Sequence, residues 1–200
     1  MGAGGSKLSK DDFVYFGSGT KLKIMSNFAD VGSLVFEGRT YATSEHAYQA
    51  QRVEEEDMDR MAVGGDLGGL EGLKVLLGEE EGQQKMNHWG HGAVKLSGIV
   101  AKMVVKDANN AKLQVPLKLK KDDLEGKDEI FMRILRAKWD ASKEFRDALR
   151  ATRGKLLVEF DRAAARKNGS SAWGGVVKNG VLLGENRMGK IMMELRRELV

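Results

Sequence analysis

The chain has no cysteine, a single proline and three histidines among 200 residues, and each scarcity removes a class of chemistry. Without cysteine there is no disulfide framework, no thiolate nucleophile and no cysteine-based zinc site, a composition that suits a reducing compartment. His88 and His91 are the two histidines at a metal-like spacing. No acidic residue stands at ligand spacing beside them, so no metal and no other cofactor is expected. No apolar run approaches bilayer-spanning length and no secretory signal is visible, which leads to the expectation of a cytoplasmic or nuclear protein. Nor does one sign of charge dominate. Against 33 basic residues stand 29 acidic ones, a net charge of +4, and such a mixed surface admits a polyanionic partner without demanding one.

With 42% hydrophobic and 31% charged residues, the chain can bury one sizeable core, and one domain is expected. The N-terminal stretch is rich in Gly and Ser. Gly2 with Ser6 satisfies the acylation pattern M-G-x-x-x-[ST], so an N-myristoyl anchor at Gly2 would add a marginal, peripheral membrane association. The alternative reading of the same stretch is a plain tail.

Short strands are expected at Phe13–Phe16, Lys21–Met25 and Leu34–Phe36, with a turn at Glu37-Gly38. The stretch from Thr43 to Arg52 then combines a helix start with a polar face. Thr43 or Ser44 supplies the cap, and Glu45 stands where the helix dipole favours an acid. Glu45, Gln49 and Arg52 recur at i, i+4 and i+7, so acid, amide and guanidinium share one side of a helix expected to run to about Met61. Gly64 to Gly82 reads as a mobile connection around a short helix, Leu70 to Leu77. A helix follows over Val94 to Val105. Leu113, Val115, Leu117 and Leu119 alternate with polar residues like a half-exposed strand, which Pro116 demotes to an edge or loop. The lysines between Lys112 and Lys121 are either phosphate contacts or a solvated face.

The second half reads as a helix over Asp128 to Trp139, a second helix marked by Phe145, Ala148 and Leu149, and a strand at Leu156–Phe160. A short apolar run, Val181–Leu183, precedes a closing helix whose apolar stripe is Met188, Ile191, Met192, Leu195 and Leu199. Gly184 to Ile191 nearly spells a nucleotide P-loop, but the closing Ser or Thr is Ile191, so an NTPase is rejected. Two readings of that turn remain: backbone N–H groups beside Arg187 that receive a phosphate or ribose oxygen, or a plain loop-to-helix junction. Trp173, flanked by Ala172 and Gly174-Gly175, is either a stacking surface for a base or a core residue. Glu159 and Asp161 face the same way only if the strand continues through Asp161.

Several of these stretches occur together in one known family. The chain resembles the NADAR family of YbiA-like domains from Asp12 onward. Ser26-Asn27-Phe28 resembles the family's S-N-F, Thr43 to Ala50 its T-S-E-H-x-x-Q-A, Lys127 with Ile130-Phe131 its K-x-x-V-M, and Ala137-Lys138-Trp139 its A-K-F. Leu157-Val158-Glu159, Trp173-Gly174 and Gly184-x-Asn186-x-x-Gly189-x-x-Met192 complete the series.

The resemblance implies a mainly helical α+β fold with a few short strands, residues 12–200 forming one domain after a tail over residues 1–11. It implies an N-glycosidase acting either on ADP-ribose attached to guanine bases, in DNA or RNA, or on small phosphoribosylamine intermediates of riboflavin-type metabolism. A non-catalytic ADP-ribose-binding module is the further alternative. For the site it implies Glu45 as general acid/base and a lysine that forms a Schiff base with the opened sugar, for which Lys23, Lys127 and Lys138 are the candidates. Asn27, Phe28, His46, Gln49, Trp173, Gly174, Asn186 and Arg187 form the implied substrate-binding set. The sequence departs from the family where an acid is replaced by Ser170, a lysine by Arg52, and an Arg-rich segment by Lys112 to Lys121. These departures favour a larger, polyanionic substrate over the riboflavin intermediate.

Overall fold

The computed structural model describes residues 7–68, 71–89, 97–107, 116–120, 126–166 and 171–200. In chain order the strands are β1 Phe13–Phe16, β2 Leu34–Phe36, β3 Arg39–Tyr41, β4 Leu156–Glu159, β5 Val176–Lys178 and β6 Val181–Leu183. The helices are α1 Ser44–Ala50, α2 Glu55–Met61, α3 Glu71–Leu77, α4 Glu79–Trp89, α5 Ser97–Asp107, α6 Lys127–Ala141, α7 Lys143–Ala151, α8 Arg162–Arg166 and α9 Arg187–Leu199. This is the mainly helical α+β class that the motifs imply. The chain divides into two compact units, Asn27–Ser142 and the paired segments Met1–Ser26 and Lys143–Val200.

In the Asn27–Ser142 unit, β2 and β3 form an antiparallel hairpin through Glu37-Gly38, both left-handed. The chain then enters α1, all seven of whose residues are buried. The helix expected to reach Met61 stops at Ala50. Val53 pairs instead with Leu119, the Glu54 N–H donates to the Lys118 carbonyl (2.8 Å) and the Lys120 N–H to that of Arg52 (3.0 Å). Those long-range bonds replace the ones a continuous helix would make, and α2 starts afresh. Of the expected Leu113–Leu119 strand, residues 113–115 lie outside the described residues, and what remains is this single bridge at Leu119.

Between Gly64 and Gly82, Gly65, Gly68, Gly72 and Gly82 are closely packed, whereas Gly64 and Gly78 take left-handed φ with open space around them. A methyl group on Gly68 would sit 1.8 Å from the Ala62 carbonyl oxygen, so the chain lies directly on the end of α2. On α6, Phe131, Ile134, Leu135 and Lys138 are buried, positions i, i+3, i+4 and i+7 that place a lysine on the apolar face. The Phe131 ring stacks on Tyr48 of α1, with centroids 4.2 Å apart.

In the other unit, β1 and β4 pair in parallel from Phe13↔Leu156 to Phe16↔Glu159. The expected strand at Lys21–Met25 is a 3-10 turn over Lys23–Met25, closed by the Ser26 N–H on the Lys23 carbonyl. β5 and β6 form a hairpin through left-handed Asn179-Gly180, an Asn-Gly turn of the kind two-residue hairpins favour. Along α9, Met188, Ile191, Met192 and Leu195 are buried as the stripe predicts, whereas Leu199 is 36% exposed at its end.

α9 lies so close to β4 that a methyl group on Gly189 would be 2.2 Å from the Leu157 carbonyl oxygen. An alanine in a solvent-facing helix would gain about 1 kcal/mol over glycine. Here the sign inverts: Gly189→Ala should cost about 3 kcal/mol through overpacking. Gly19→Ala, which meets nothing within 4 Å, should change stability by less than about 0.5 kcal/mol. Urea midpoints of the two variants check this, and a Gly189→Ala midpoint equal to wild type would contradict it.

Candidate active site

The α1 N-terminus is assembled from two of the sequence motifs. Thr43, in extended conformation, accepts the His46 N–H on its hydroxyl (3.0 Å) and so provides the cap, while the Glu45 N–H donates to the Asn27 carbonyl (2.9 Å). The S-N-F and T-S-E-H segments are therefore locked together through backbone groups that a buried helix end cannot leave unpaired. His46 is fully buried, and both ring nitrogens are engaged. Nε2–H donates to the Met61 carbonyl (2.5 Å) and Nδ1 accepts the Ala42 N–H (3.5 Å). Burial lowers the imidazole pKa and keeps the ring neutral. Of the implied substrate-binding set, His46 thus has its polar atoms spent on the backbone.

Glu45 is 7% exposed. Its Oε1 accepts the Gln49 Nε2–H (2.8 Å), Gln49 Oε1 in turn accepts from Arg52 Nη1 (3.2 Å), and Lys102 Nζ of α5 lies 3.9 Å from the same Glu45 oxygen. Among the described residues nothing bonds Oε2. Burial pushes the carboxyl above its ordinary value, and the Gln49 bond, then Lys102 and Arg52, pull it partly back. A carboxyl with its proton affinity raised in this way holds a proton more readily than an exposed one, as a group that gives and takes protons must.

α5 approaches α1 because Gly98 has no side chain. A methyl group there would lie 2.8 Å from Thr43 Oγ1, 3.0 Å from Glu45 Cβ and 3.2 Å from Phe28 Cδ1. Gly98 thus marks the point where Phe28, Thr43 and Glu45 meet, and Lys102 follows one turn later on the same face. Asn27 Oδ1 and Ser44 Oγ, both buried, have no partner among the described residues.

Sequence reasoning missed Lys102. The signal was the Gly98–Lys102 spacing of i, i+4 in a predicted helix. Of the three candidate lysines, Lys23 is exposed in the 3-10 turn of the other unit and Lys127 is half-buried at the start of α6. Lys138 is fully enclosed, with its pKa pushed down to about 7 by burial.

The remaining candidates lie in the unit of Lys143–Val200. Arg187 stacks over the half-buried Trp173 ring at 4.9 Å. Asn186 is 1% exposed: its Nδ2 donates to the Leu157 carbonyl (2.7 Å) and its Oδ1 accepts the Glu159 N–H (3.0 Å), so its amide extends the β4 edge. Gly174 is buried, with its N–H on Ser171 Oγ and its carbonyl accepting the Asn186 N–H. The anion reading of the Gly184–Gly189 turn is overturned. The N–H groups of Glu185, Arg187 and Met188 donate to the carbonyls of Ser171, Ala172 and Trp173, so with that of Asn186 they are occupied by protein. Strand β4 ends before Asp161, whose carboxylate accepts from Ser171 (2.5 Å). The His88 and His91 side chains lie outside what is described, and among the described residues no three potential ligands cluster around a metal position. No described helix is long and apolar enough to cross a membrane. Gly2 lies outside the described residues.

No family model matches the chain, and no curated protein matches it. Among solved structures it is similar to the NMR structure of the Escherichia coli protein YbiA, with 25% identity and a TM-score of 0.56. The likeness covers 96% of this chain and 88% of that one, and it bears out the resemblance to YbiA-like domains carried by the motifs.

The buried Lys138 has a measurable consequence. Between pH 7 and about 10.4, the value for an unfolded lysine, the unfolded chain holds a proton on Lys138 that the folded chain has released. Stability therefore rises with pH across this window, while below about 7 the burial penalty of the ammonium is felt in full. Lys138→Met should flatten that rise by up to about 1.4 kcal/mol per pH unit. Urea unfolding of both proteins at several pH values provides the check, and identical slopes would contradict the burial.

Proposed function

We propose, for a chain with the fold of YbiA and the motif series of the NADAR family, that it is an N-glycosidase removing ADP-ribose from guanine bases in nucleic acid, with Glu45 as general acid/base. The observation that supports this most directly is the enclosed Glu45 carboxyl with one oxygen held by Gln49, the other without a bond to any described residue, and a lysine amine 3.9 Å away. A glycosidic C1–N bond breaks when the leaving nitrogen receives a proton, and a carboxyl whose proton affinity is raised by burial can deliver one.

Lys102 fits the second role that the resemblance implies. If the sugar ring opens, C1 is held as an imine of the base's nitrogen. A neutral amine adds to C1, a proton passes from the new ammonium through Glu45 to the leaving nitrogen, and the C1–N bond to the base breaks, leaving an imine with the protein. Water then adds to that imine and releases the lysine and the free sugar, so the net change is hydrolysis. Asn27 Oδ1 and Ser44 Oγ, buried without partners among the described residues, are acceptors for ligand hydroxyl or N–H donors. Phe28 supplies an apolar side to the same place. The preference for modified nucleic acid over a small phosphoribosylamine rests on the departures at Arg52, Ser170 and Lys112–Lys121.

The experiment is release of ADP-ribose from ADP-ribosylated guanine DNA. Glu45→Gln should lower the rate about 10²–10⁴-fold. Absence of release by the wild-type protein would refute the hydrolase, and tight ADP-ribose binding without release would identify a binding module. A strong preference for a small phosphoribosylamine in competition would reverse the substrate order. Borohydride reduction during turnover should trap an adduct that maps to the Lys102 peptide and disappears in Lys102→Met. An adduct mapping to the Lys138 peptide would move the role there, and no adduct would favour direct bond cleavage without a covalent intermediate.

A further inference from the structure

We propose that Arg52 is a positioning residue that fixes the orientation of the Gln49 amide, so that its NH₂ faces Glu45 Oε1 and leaves Oε2 to the substrate. The inference rests on the reading of Glu45 as the acid/base. A carboxamide can be turned by half a rotation with little change in shape, exchanging its donor and acceptor ends. A guanidinium has only donors. Arg52 Nη1, 3.2 Å from Gln49 Oε1, therefore accepts one rotation of that amide, and the rotation it accepts puts Nε2–H on Glu45 at 2.8 Å.

The consequence falls on the protonation of Glu45. An N–H donor favours the ionised carboxylate, whereas a carbonyl presented to the same oxygen would favour the protonated acid. With Arg52 in place, Gln49 stabilises the anion on Oε1. Without it, the amide is free to turn, and a protonated Glu45 can donate to the Gln49 carbonyl instead. Arg52 thus acts on the carboxyl through an intermediary that is 2% exposed, while its own position is at the surface. The other charged group that acts on Glu45 is Lys102 from α5. On the remaining elements packed against α1, β3 carries Arg39, which is bound to Glu55 and Asp59, and α6 carries the enclosed Lys138. His46, the next residue on α1, is neutral and bonded to backbone.

The planar guanidinium of Arg52 presents several donors, so Gln49 can be held by one while others remain available at the surface. An exposed guanidinium is therefore compatible with a strictly oriented amide.

The test needs no turnover. In protein carrying ¹³C at the glutamate side-chain carboxyl, the Glu45 signal is assigned by its loss in Glu45→Gln, and its titration is followed by NMR. Arg52→Met should raise the titration midpoint by about one pH unit. In a Gln49→Met background, where no amide remains to be oriented, the same Arg52→Met change should move it by much less. The Gln49 side-chain NH₂ protons should also exchange faster with solvent in Arg52→Met than in wild type. An unmoved midpoint in Arg52→Met would overturn the proposal. An equal shift in both backgrounds would also overturn it, because Arg52 would then act by direct charge alone. Because these signals are read in the free protein, they separate the two proposals: failure of ADP-ribose release with the titration behaviour intact refutes the hydrolase and leaves the amide orientation standing.

Discussion

A carboxylate withdrawn from water on a helix that is buried along its whole length is the constraint on which the Asn27–Ser142 unit depends. Burial of α1 is favourable only if its polar groups find partners inside the protein. The surrounding chain meets that requirement piece by piece. Thr43 caps the first turn, Asn27 offers its carbonyl to the Glu45 N–H, and His46 ties the helix to the end of α2 through Met61. Gln49 then bonds one of the two Glu45 oxygens. Among the described residues, Asn27 Oδ1, Ser44 Oγ, Tyr41 OH and Gln51 Nε2 remain buried without a partner, and the first two flank the N-terminal end of α1.

The same requirement explains why the residues of one motif have different tasks. In T-S-E-H-x-x-Q-A, the threonine and histidine are consumed in building the helix and its contact with α2. The glutamate and glutamine are instead bonded to each other, Gln49 donating to Glu45 and accepting from Arg52. Gly98 belongs with them although it lies in another helix, because α5 could not approach α1 if a side chain occupied that position.

In the other unit a different demand dominates, close approach of backbone to backbone. The sequence G-x-N-x-x-G suggests an anion-binding turn, but Asn186 and Gly189 are fitted to strand β4. Asn186 bonds the edge of the strand with both ends of its amide, and Gly189 leaves room for the Leu157 carbonyl. The loop over Ser171–Gly174 then occupies the N–H groups that would otherwise receive a phosphate. The Arg187–Trp173 stack remains as a paired cation and aromatic at the start of α9.

Periodic elements were legible from the chain alone: α6 and α9 follow from apolar residues at helical spacing, and β1, β2 and β4 from short apolar runs between turns. Two elements were misread for the same reason. The region after Ala50 and the segment Lys21–Met25 take their conformation from bonds to residues far away or from a local 3-10 turn, and neither leaves a periodic trace. The β5–β6 hairpin did leave one, the Asn179-Gly180 turn. The sequence by itself determined the helix cap and the Glu45–Gln49–Arg52 face, because helical spacing is a local property, while it was the motif resemblance that singled out Glu45 as the acid. Only the tertiary structure decided that Lys102 is the cation beside Glu45, that Lys138 is enclosed and its ammonium weakened, and that His46 and Asn186 are spent on backbone. Those outcomes depend on which helix packs on which and on how much water is excluded there, and neither is written in the spacing of a single segment.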